Sequence, residues 1–274
     1  MLALPAEDNV EPHLLSETDA DGIAWLTFNR PDVRNATSPE LADLLMENLG
    51  RIEQDRNVRC VVLRGAGRYF MSGGDIRQFA GMSAMTGAER QLQFEQRLLR
   101  NGLVFQMIER LPQPVIASVQ GGAAGAGLGF MLAADIAIAS REASFVLAHA
   151  RVGASPDAAT SYYLPRCIGV RRAKAMAMLA QPVDAATALE WGMLSFVVDE
   201  GELQEQTVRI ARQLAQSAPA SLAGCKVLMN DSQQNSLEEQ LALEARVLGR
   251  CAASDDFVEG PRAFLEKRAP VFKG

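Results

Sequence analysis

Ser118-Val-Gln-Gly-Gly-Ala-Ala-Gly-Ala-Gly-Leu-Gly-Phe-Met-Leu-Ala-Ala-Asp-Ile136 is the stretch on which the fold turns. The apolar run Pro114-Val-Ile-Ala117 leads into it, and a second apolar run carries on to Ile138. That order spells a strand, a glycine-rich turn and a buried helix. Glycines at the turn let backbone approach a ligand without Cβ interference. The turn also delivers free N–H groups at a helix N-terminus, where negative charge is favoured.

A second stretch repeats the design: Cys60-Val-Val-Leu-Arg-Gly-Ala-Gly-Arg-Tyr-Phe-Met-Ser-Gly-Gly-Asp-Ile76. Two strand-then-glycine turns in one chain predict two N–H donors converging on one developing oxyanion.

Working outward, the sequence alternates strands and helices. Gly22–Phe28 reads as a strand closed by Asn29-Arg-Pro31, and Ser38-Pro39 opens a capped amphipathic helix running to Ile52. Val58–Arg64 is the next strand, and Gly87–Leu111 is a long helix stopped by Pro112 and Pro114. Strands follow at Val115–Val119, Ile136–Ala139 and Ala143–Val146, then a helix at Asp184–Trp191 and a strand at Leu194–Val198. From Glu202 the pattern is helical: Glu202–Gln216, Ala220–Met229 and Ser236–Ser254. This is an α/β chain of repeated β-β-α units with a helical C-terminal region, expected to divide into 1–200 and 201–274.

Composition narrows the function. The chain has 274 residues, is 48% hydrophobic and carries a net charge of −6, which suits one large core and argues against nucleic acid as a partner. The cysteines (Cys60, Cys167, Cys225, Cys251) lack C-x-x-C spacing and read as reduced thiols of a cytoplasmic protein. With His13 and His149 as the only histidines, no multi-histidine metal site is expected. The N-terminus lacks a signal-peptide pattern, and no apolar run reaches membrane-spanning length, so no membrane partner is expected. The glycine-rich run departs from G-x-G-x-x-G because Phe130 takes the last position, which disfavours a dinucleotide dehydrogenase, and the G-x-S-x-G motif of serine hydrolases is absent.

The motifs carry a family resemblance. Asn29-Arg-Pro31 with Arg34-Asn-Ala36, Phe70-Met-Ser-Gly-Gly-Asp-Ile76, Gln120-Gly-Gly-Ala-Ala-Gly-Ala-Gly127, Pro156-Asp157, Leu164-Pro-Arg166, Ala188-Leu-Glu-Trp-Gly192, Val197-Val198 and Glu259–Gly274 stand in the order seen in crotonases, the enoyl-CoA hydratase/isomerase superfamily. Each is weak alone; their order and spacing are specific. The chain resembles that superfamily from about Trp25 to Gly274. The resemblance implies a crotonase-like spiral of β-β-α units with a C-terminal trimerisation region, and hence homotrimers or hexamers. It implies an acyl-CoA thioester substrate, whose carbonyl sits between the backbone N–H groups of Gly74 and Ala126. No bound cofactor is expected, because coenzyme A arrives on the substrate. By position, the Ser72 carbonyl would meet the adenine, Val33 and Arg34 would flank the pantetheine and phosphates, and Phe264 and Lys267 would close the nucleotide pocket, often from a neighbouring subunit.

Departures from the family pattern point to the chemistry. Typical hydratases of the superfamily set two glutamates around the substrate double bond; the matching positions here are Gly129 and His149. Asp157 follows Pro156 where some isomerases and aryl-CoA enzymes carry an acid/base aspartate. The segment Phe145–Thr160 also resembles a 4-chlorobenzoyl-CoA dehalogenase, although that family has a helix histidine where this chain has Gly102 and a tryptophan at His149. The expected activity is therefore an enoyl-CoA isomerase acting in fatty-acid or aromatic acyl-CoA breakdown, with Asp157 as the base. Hydration by His149 and Asp157, dehalogenation, thioester hydrolysis, and a non-catalytic CoA-ester- or RNA-binding role are the alternatives.

Several of these residues have simpler readings. Asp157 can cap a helix beginning at Ala158, and His149 can be a packing histidine or can orient Asp157. Asp75 and Asp135 read as caps or braces, and Lys267 as a solvated tail charge. The Met-rich segment 78–97, with Met82 and Met85, is the expected wall of the acyl pocket.

Overall fold

The structure, a computed structural model, describes residues 11–274. The N-terminal residues whose sequence lacks a signal-peptide pattern fall largely outside that range. In chain order the elements are β1 (Leu14–Thr18), β2 (Ile23–Phe28), α1 (Pro39–Gln54), β3 (Cys60–Gly65), α2 (Ile76–Ala80), α3 (Gly87–Arg110), β4 (Val115–Val119), β5 (Gly122–Ala124) and α4 (Ala126–Ala133). They continue with β6 (Ile136–Ser140), β7 (Ser144–Val146), α5 (Thr160–Ile168), α6 (Val170–Leu179), β8 (Val183–Asp184), α7 (Ala185–Glu190) and β9 (Phe196–Val198). The C-terminal helices are α8 (Leu203–Ala215), α9 (Pro219–Asp231), α10 (Leu237–Ala252) and α11 (Asp255–Leu265).

Strands β1-β2-β3-β4-β6-β9 form one six-stranded sheet, parallel except for β1. Strands β5-β7-β8 form a second, three-stranded sheet. Two successive turns of the chain lay one strand in the large sheet and then a short one in the small sheet: β4 is followed at once by β5, and β6 by β7.

Alternation along the buried strands decides which layer each side chain joins. Leu26, Phe28, Val61, Leu63, Ala117, Val119 and Ala139 face the main core with α1, α3 and α4. Their neighbours Ile23, Trp25, Cys60, Val62, Ile116 and Ile138 point the other way, onto Leu203, Ile210 and Ala211 of α8. The first C-terminal helix is therefore a layer of the sheet.

Local chemistry starts the helices where the sequence predicts. Ser38 Oγ accepts the Leu41 N–H at 3.1 Å with Pro39 in the first turn of α1. Thr86 and Glu89 form a reciprocal capping box at α3. The elements α2, α6 and α11 and the strands β1, β5 and β8 are additions to the sequence reading, and α5 starts at Thr160 where the sequence offers a helix from Ala158.

Two features brace the region beneath the glycine-rich turns. Phe28 lies 5.3 Å from the rings of Phe70 and Phe130, and Phe105 lies 4.8 Å from Phe130, each pair contributing about 1 kcal/mol. Lys226 of α9 is buried, donating to Ile108 O at 2.9 Å and to Asp135 Oδ2 at 2.9 Å. Asp135 also accepts the Val115 N–H at 2.7 Å. It is a brace, as its sequence position suggests; burial pushes its carboxyl up, and Lys226 opposes that.

Candidate active site

The loop after β3 is laced to the β4–β5 connection. Phe70 N–H donates to Gln120 O at 3.0 Å, and Ala124 N–H donates to Met71 O at 2.9 Å. Gln120 Nε2 reaches back to Gly65 O at 2.6 Å. Arg30, at 3.4 Å, and Arg77 hold Asp75, whose Oδ1 caps α2 through the Arg77 N–H at 3.2 Å.

This lacing presses the two glycine turns together. Gly73 has φ of 98° and Gly125 has φ of 51°, both in the left-handed half that favours glycine. A Cβ on Gly73 would stand 2.9 Å from Ala124 O and 3.3 Å from Ala126 N. Only bare backbone permits this approach, and it brings Gly74 and Ala126 to the wall of one cavity. Ala126 opens α4, so its N–H has no acceptor within the helix. Among the described residues neither the Gly74 nor the Ala126 N–H has a hydrogen-bond acceptor. The Phe79 ring covers Gly74; a Cβ there would lie 2.7 Å from Phe79 Cζ.

The cavity holds about 430 Å³ between α1, α3 and α5. Leu41 and Leu45 of α1 and Phe130 of α4 supply apolar wall, and Asp157 enters from the α5 side. Asp157 Oδ1 lies 3.0 Å from His149 Nε2, with 29% of the Asp157 side chain and 12% of the His149 side chain exposed. His149 Nδ1 is buried and has no hydrogen-bond partner among the described residues. A bare lone pair there costs less than an N–H without an acceptor, so the ring presents Nε2–H to Asp157. His149 is thus a donor to the carboxylate, and its ring edge packs on Gly125: a Cβ on Gly125 would be 3.7 Å from Nε2.

The capping expectation for Asp157 is not met. Helix α5 begins at Thr160, its cap residue is Ala159, and no side chain caps it. The Asp157 carbonyl, not its carboxylate, accepts from Thr160 N at 3.0 Å and Thr160 Oγ1 at 2.6 Å. That leaves the carboxylate free to face the cavity.

The acyl-pocket expectation is met in part. Gln78, Phe79 and Arg97 line the cavity, but Met82 and Met85 do not. The long wall is instead α3, with Arg97, Asn101, Phe105 and Glu109 at four-residue steps. That spacing is visible in the sequence, although nothing local distinguishes it from a solvated helix face. The Arg97 guanidinium stacks on Phe94 at 4.6 Å and Phe79 at 5.0 Å. Burial there lowers its pKa, and the nearby Asp157 charge opposes the shift. Tyr163, also missed in the sequence, meets Glu109 at 3.3 Å.

Val33, Arg34 and Ser72 come together, but none of them lines the cavity. Ser72 Oγ donates to Val33 O at 3.3 Å, Ser72 N–H donates to Arg34 O at 2.9 Å, and the Arg34 guanidinium lies 4.9 Å over Tyr69. Phe264 and Lys267 are not brought to the cavity within one chain. Phe264 is 83% exposed on α11, and Lys267 follows that helix with φ of 55°.

Among the described residues no His, Cys, Asp and Glu cluster could hold a metal ion, and no helix is long and apolar enough to cross a membrane. Cys60 is buried, and burial pushes its thiol up to about 12.

Residues 18–274 match the family described as enoyl-CoA hydratase/isomerase. The chain is 38% identical to a 1,2-epoxyphenylacetyl-CoA isomerase of Escherichia coli (strain K12), over 92% of this chain and 95% of that protein. It is 36% identical to a probable enoyl-CoA hydratase of Rhodobacter capsulatus, over 96% of this chain and 98% of that protein. A putative enoyl-CoA hydratase/isomerase of Mycobacterium abscessus, known from a crystal structure, superposes with a TM-score of 0.89 at 32% identity, over 95% of this chain and 99% of that one.

Proposed function

This chain belongs to the enoyl-CoA hydratase/isomerase family, and we propose that within it the chain is an isomerase of unsaturated CoA thioesters with Asp157 as its base. The observation that carries the reading is that the Asp157 carboxylate lines the same cavity as Gly74 and Ala126, whose backbone N–H groups have no acceptor among the described residues. The thioester carbonyl accepts from both N–H groups. Each such donor contributes roughly 3 kcal/mol to an enolate forming there. The C2 proton of a 3-enoyl thioester is thereby acidified. Asp157 takes it, and the C–H electrons delocalise into a dienolate. The protonated Asp157 then returns the proton to C4, leaving the double bond between C2 and C3. One mobile base suffices for this 1,3-shift, whereas hydration usually needs a second group to position water. His149 holds the carboxylate through Nε2 at 3.0 Å.

The His149–Asp157 pair also supports a second reading, hydration, because His149 stands where hydratases of the family carry a glutamate. A paired assay separates them. A 3-enoyl-CoA and a 2-enoyl-CoA are offered in heavy-oxygen water and products are weighed. A conjugated product of unchanged mass from the 3-enoyl ester is the expected result. Gain of one labelled water by the 2-enoyl ester would replace isomerisation with hydration. Silence on both would turn attention to aryl or ring-acyl esters, including dehalogenation, to thioester hydrolysis, or to binding without turnover.

The chain is also proposed to act in the cytoplasm as a trimer or hexamer, with no bound cofactor. Exposed Leu237, Leu241, Leu248, Phe264 and Leu265 on α10 and α11 supply apolar surface for copies of the chain.

A further inference from the structure

The far part of the acyl cavity carries a polar pair that the isomerisation does not use. Glu109 and Tyr163 both line the cavity, and the Tyr163 O–H donates to Glu109 Oε2 at 3.3 Å. Glu109 lies twelve residues along α3 from Arg97, roughly 18 Å at the helical rise. Arg97 lies near enough to Asp157 to feel its charge, and Glu109 stands about three turns farther along the same wall.

The Tyr163 contact is the one described hydrogen bond of the Glu109 carboxylate, and Oε1 has no partner among the described residues. A hydrocarbon chain filling the cavity would strip water from Oε1 and put nothing in its place. Desolvating an unpaired carboxylate is costly, so this wall disfavours a plain fatty chain. A hydroxyl supplies the missing donor. An epoxide, ether or carboxylate oxygen only accepts, and a carboxylate would also meet the charge of Glu109.

We infer that Glu109, steadied by Tyr163, is a specificity-determining residue that selects acyl groups bearing a distal hydroxyl. The inference rests on the reading of this cavity as the acyl site.

Binding tests it without turnover. Saturated CoA esters cannot undergo the double-bond shift, so calorimetry can compare octanoyl- and decanoyl-CoA with their ω-hydroxy forms, and phenylacetyl-CoA with 4-hydroxyphenylacetyl-CoA. At least one hydroxylated ester should bind about tenfold more tightly than its parent, the size of a hydrogen bond to a charged group. Glu109→Leu should erase that preference and tighten the parent ester, while the closer mimic Glu109→Gln, which guards against misfolding, should retain part of it. Tyr163→Phe should reduce it. Equal binding within every pair, or a preference that survives Glu109→Leu, overturns the inference while leaving the CoA-ester site intact. No binding of any ester overturns both.

Discussion

The carbonyl oxygen of Ala158 occupies the space in which a side chain at Gly129 would begin. A Cβ built on Gly129 would collide with that oxygen and stand 3.0 Å from the Ala158 Cβ. Ala158 and Ala159 both adopt left-handed backbone, with φ of 50° and 57°. Such residues cost on the order of 1–3 kcal/mol each and persist where their surroundings impose them. Here the Thr160 contacts to the Asp157 carbonyl and the bare Gly129 backbone hold the turn, which delivers Asp157 to the cavity. The glutamate of the family's hydratases is thus excluded sterically at position 129, as well as being absent from the sequence.

Restoring that glutamate should therefore fail. Gly129→Glu is expected to lower isomerisation of a 3-enoyl-CoA at least tenfold, because the Asp157 turn must move, and to create no hydration. Incorporation of heavy oxygen into a 2-enoyl-CoA checks this; hydration by the variant would refute the steric account.

Asp157→Asn keeps the shape and removes the proposed base. Turnover should fall by about 10²–10⁴-fold. The dissociation constant of a saturated acyl-CoA should stay within a few fold. An active Asn variant would remove Asp157 from the mechanism.

In the proposed mechanism His149 acts through Asp157, which it contacts at 3.0 Å, so its loss should appear in kcat and not in KM. His149→Ala is expected to lower kcat roughly tenfold, and His149→Gln, which can offer an N–H to the carboxylate, to recover part of it. A purely packing histidine would give parallel losses of stability for both variants and no such recovery.

Lys226 neutralises Asp135 at the start of β4, with 6% of its own side chain exposed. Lys226→Met strands the carboxylate and should cost about 3 kcal/mol in chemical denaturation. The double variant with Asp135→Asn should recover much of that loss. Equal stability of Lys226→Met and the parent would show that the pair does not brace α9.

The chain's last residues are tied down by Glu259, whose carboxylate is gripped by Arg268 at 2.5 and 2.8 Å and by the Val271 N–H at 2.9 Å. The Arg268 bonds, with the Val271 amide, depress the Glu259 pKa from 4.5 to about 2. A depressed carboxyl favours the folded contact above its ordinary pKa and loses that advantage as pH falls through the depressed value. Protection of the amides at 268–271 from exchange, measured against their intrinsic rate at each pH, should therefore fall as pH drops from 4.5 to about 2. Glu259→Gln should exchange fast already at neutral pH, and an unchanged profile in that variant would dismiss the tie.

Much of the fold was legible because its signals are local and repeated. The runs Ile23–Phe28, Cys60–Leu63 and Val115–Val119 are apolar on both faces, as parallel strands between two layers must be. Ser38-Pro39 and Thr86 with Glu89 mark helix starts through side-chain geometry that needs no tertiary partner. The strands β5 and β8, of three and two residues, are too short to show a period, and β1 exposes four of its five residues. Helices α5 and α11 each carry a proline beyond the first turn, Pro165 and Pro261, and local propensity counts against a helix there.

By itself the sequence determined which backbone could come close: glycines at 73, 74, 125, 127 and 129 announce tight approach without saying to what. Only the tertiary structure decided the partners. Gly73 meets the start of α4, and Gly129 meets the Ala158 carbonyl. The resulting left-handed turn takes Asp157 away from a helix cap and sets it against His149. The polar wall of Arg97, Asn101 and Glu109 likewise became a site face only when α1 and α5 closed over it. The physical reason is common to both: close approach and burial join residues far apart in the chain, and no local pattern records which distant group will fill the space a missing side chain leaves.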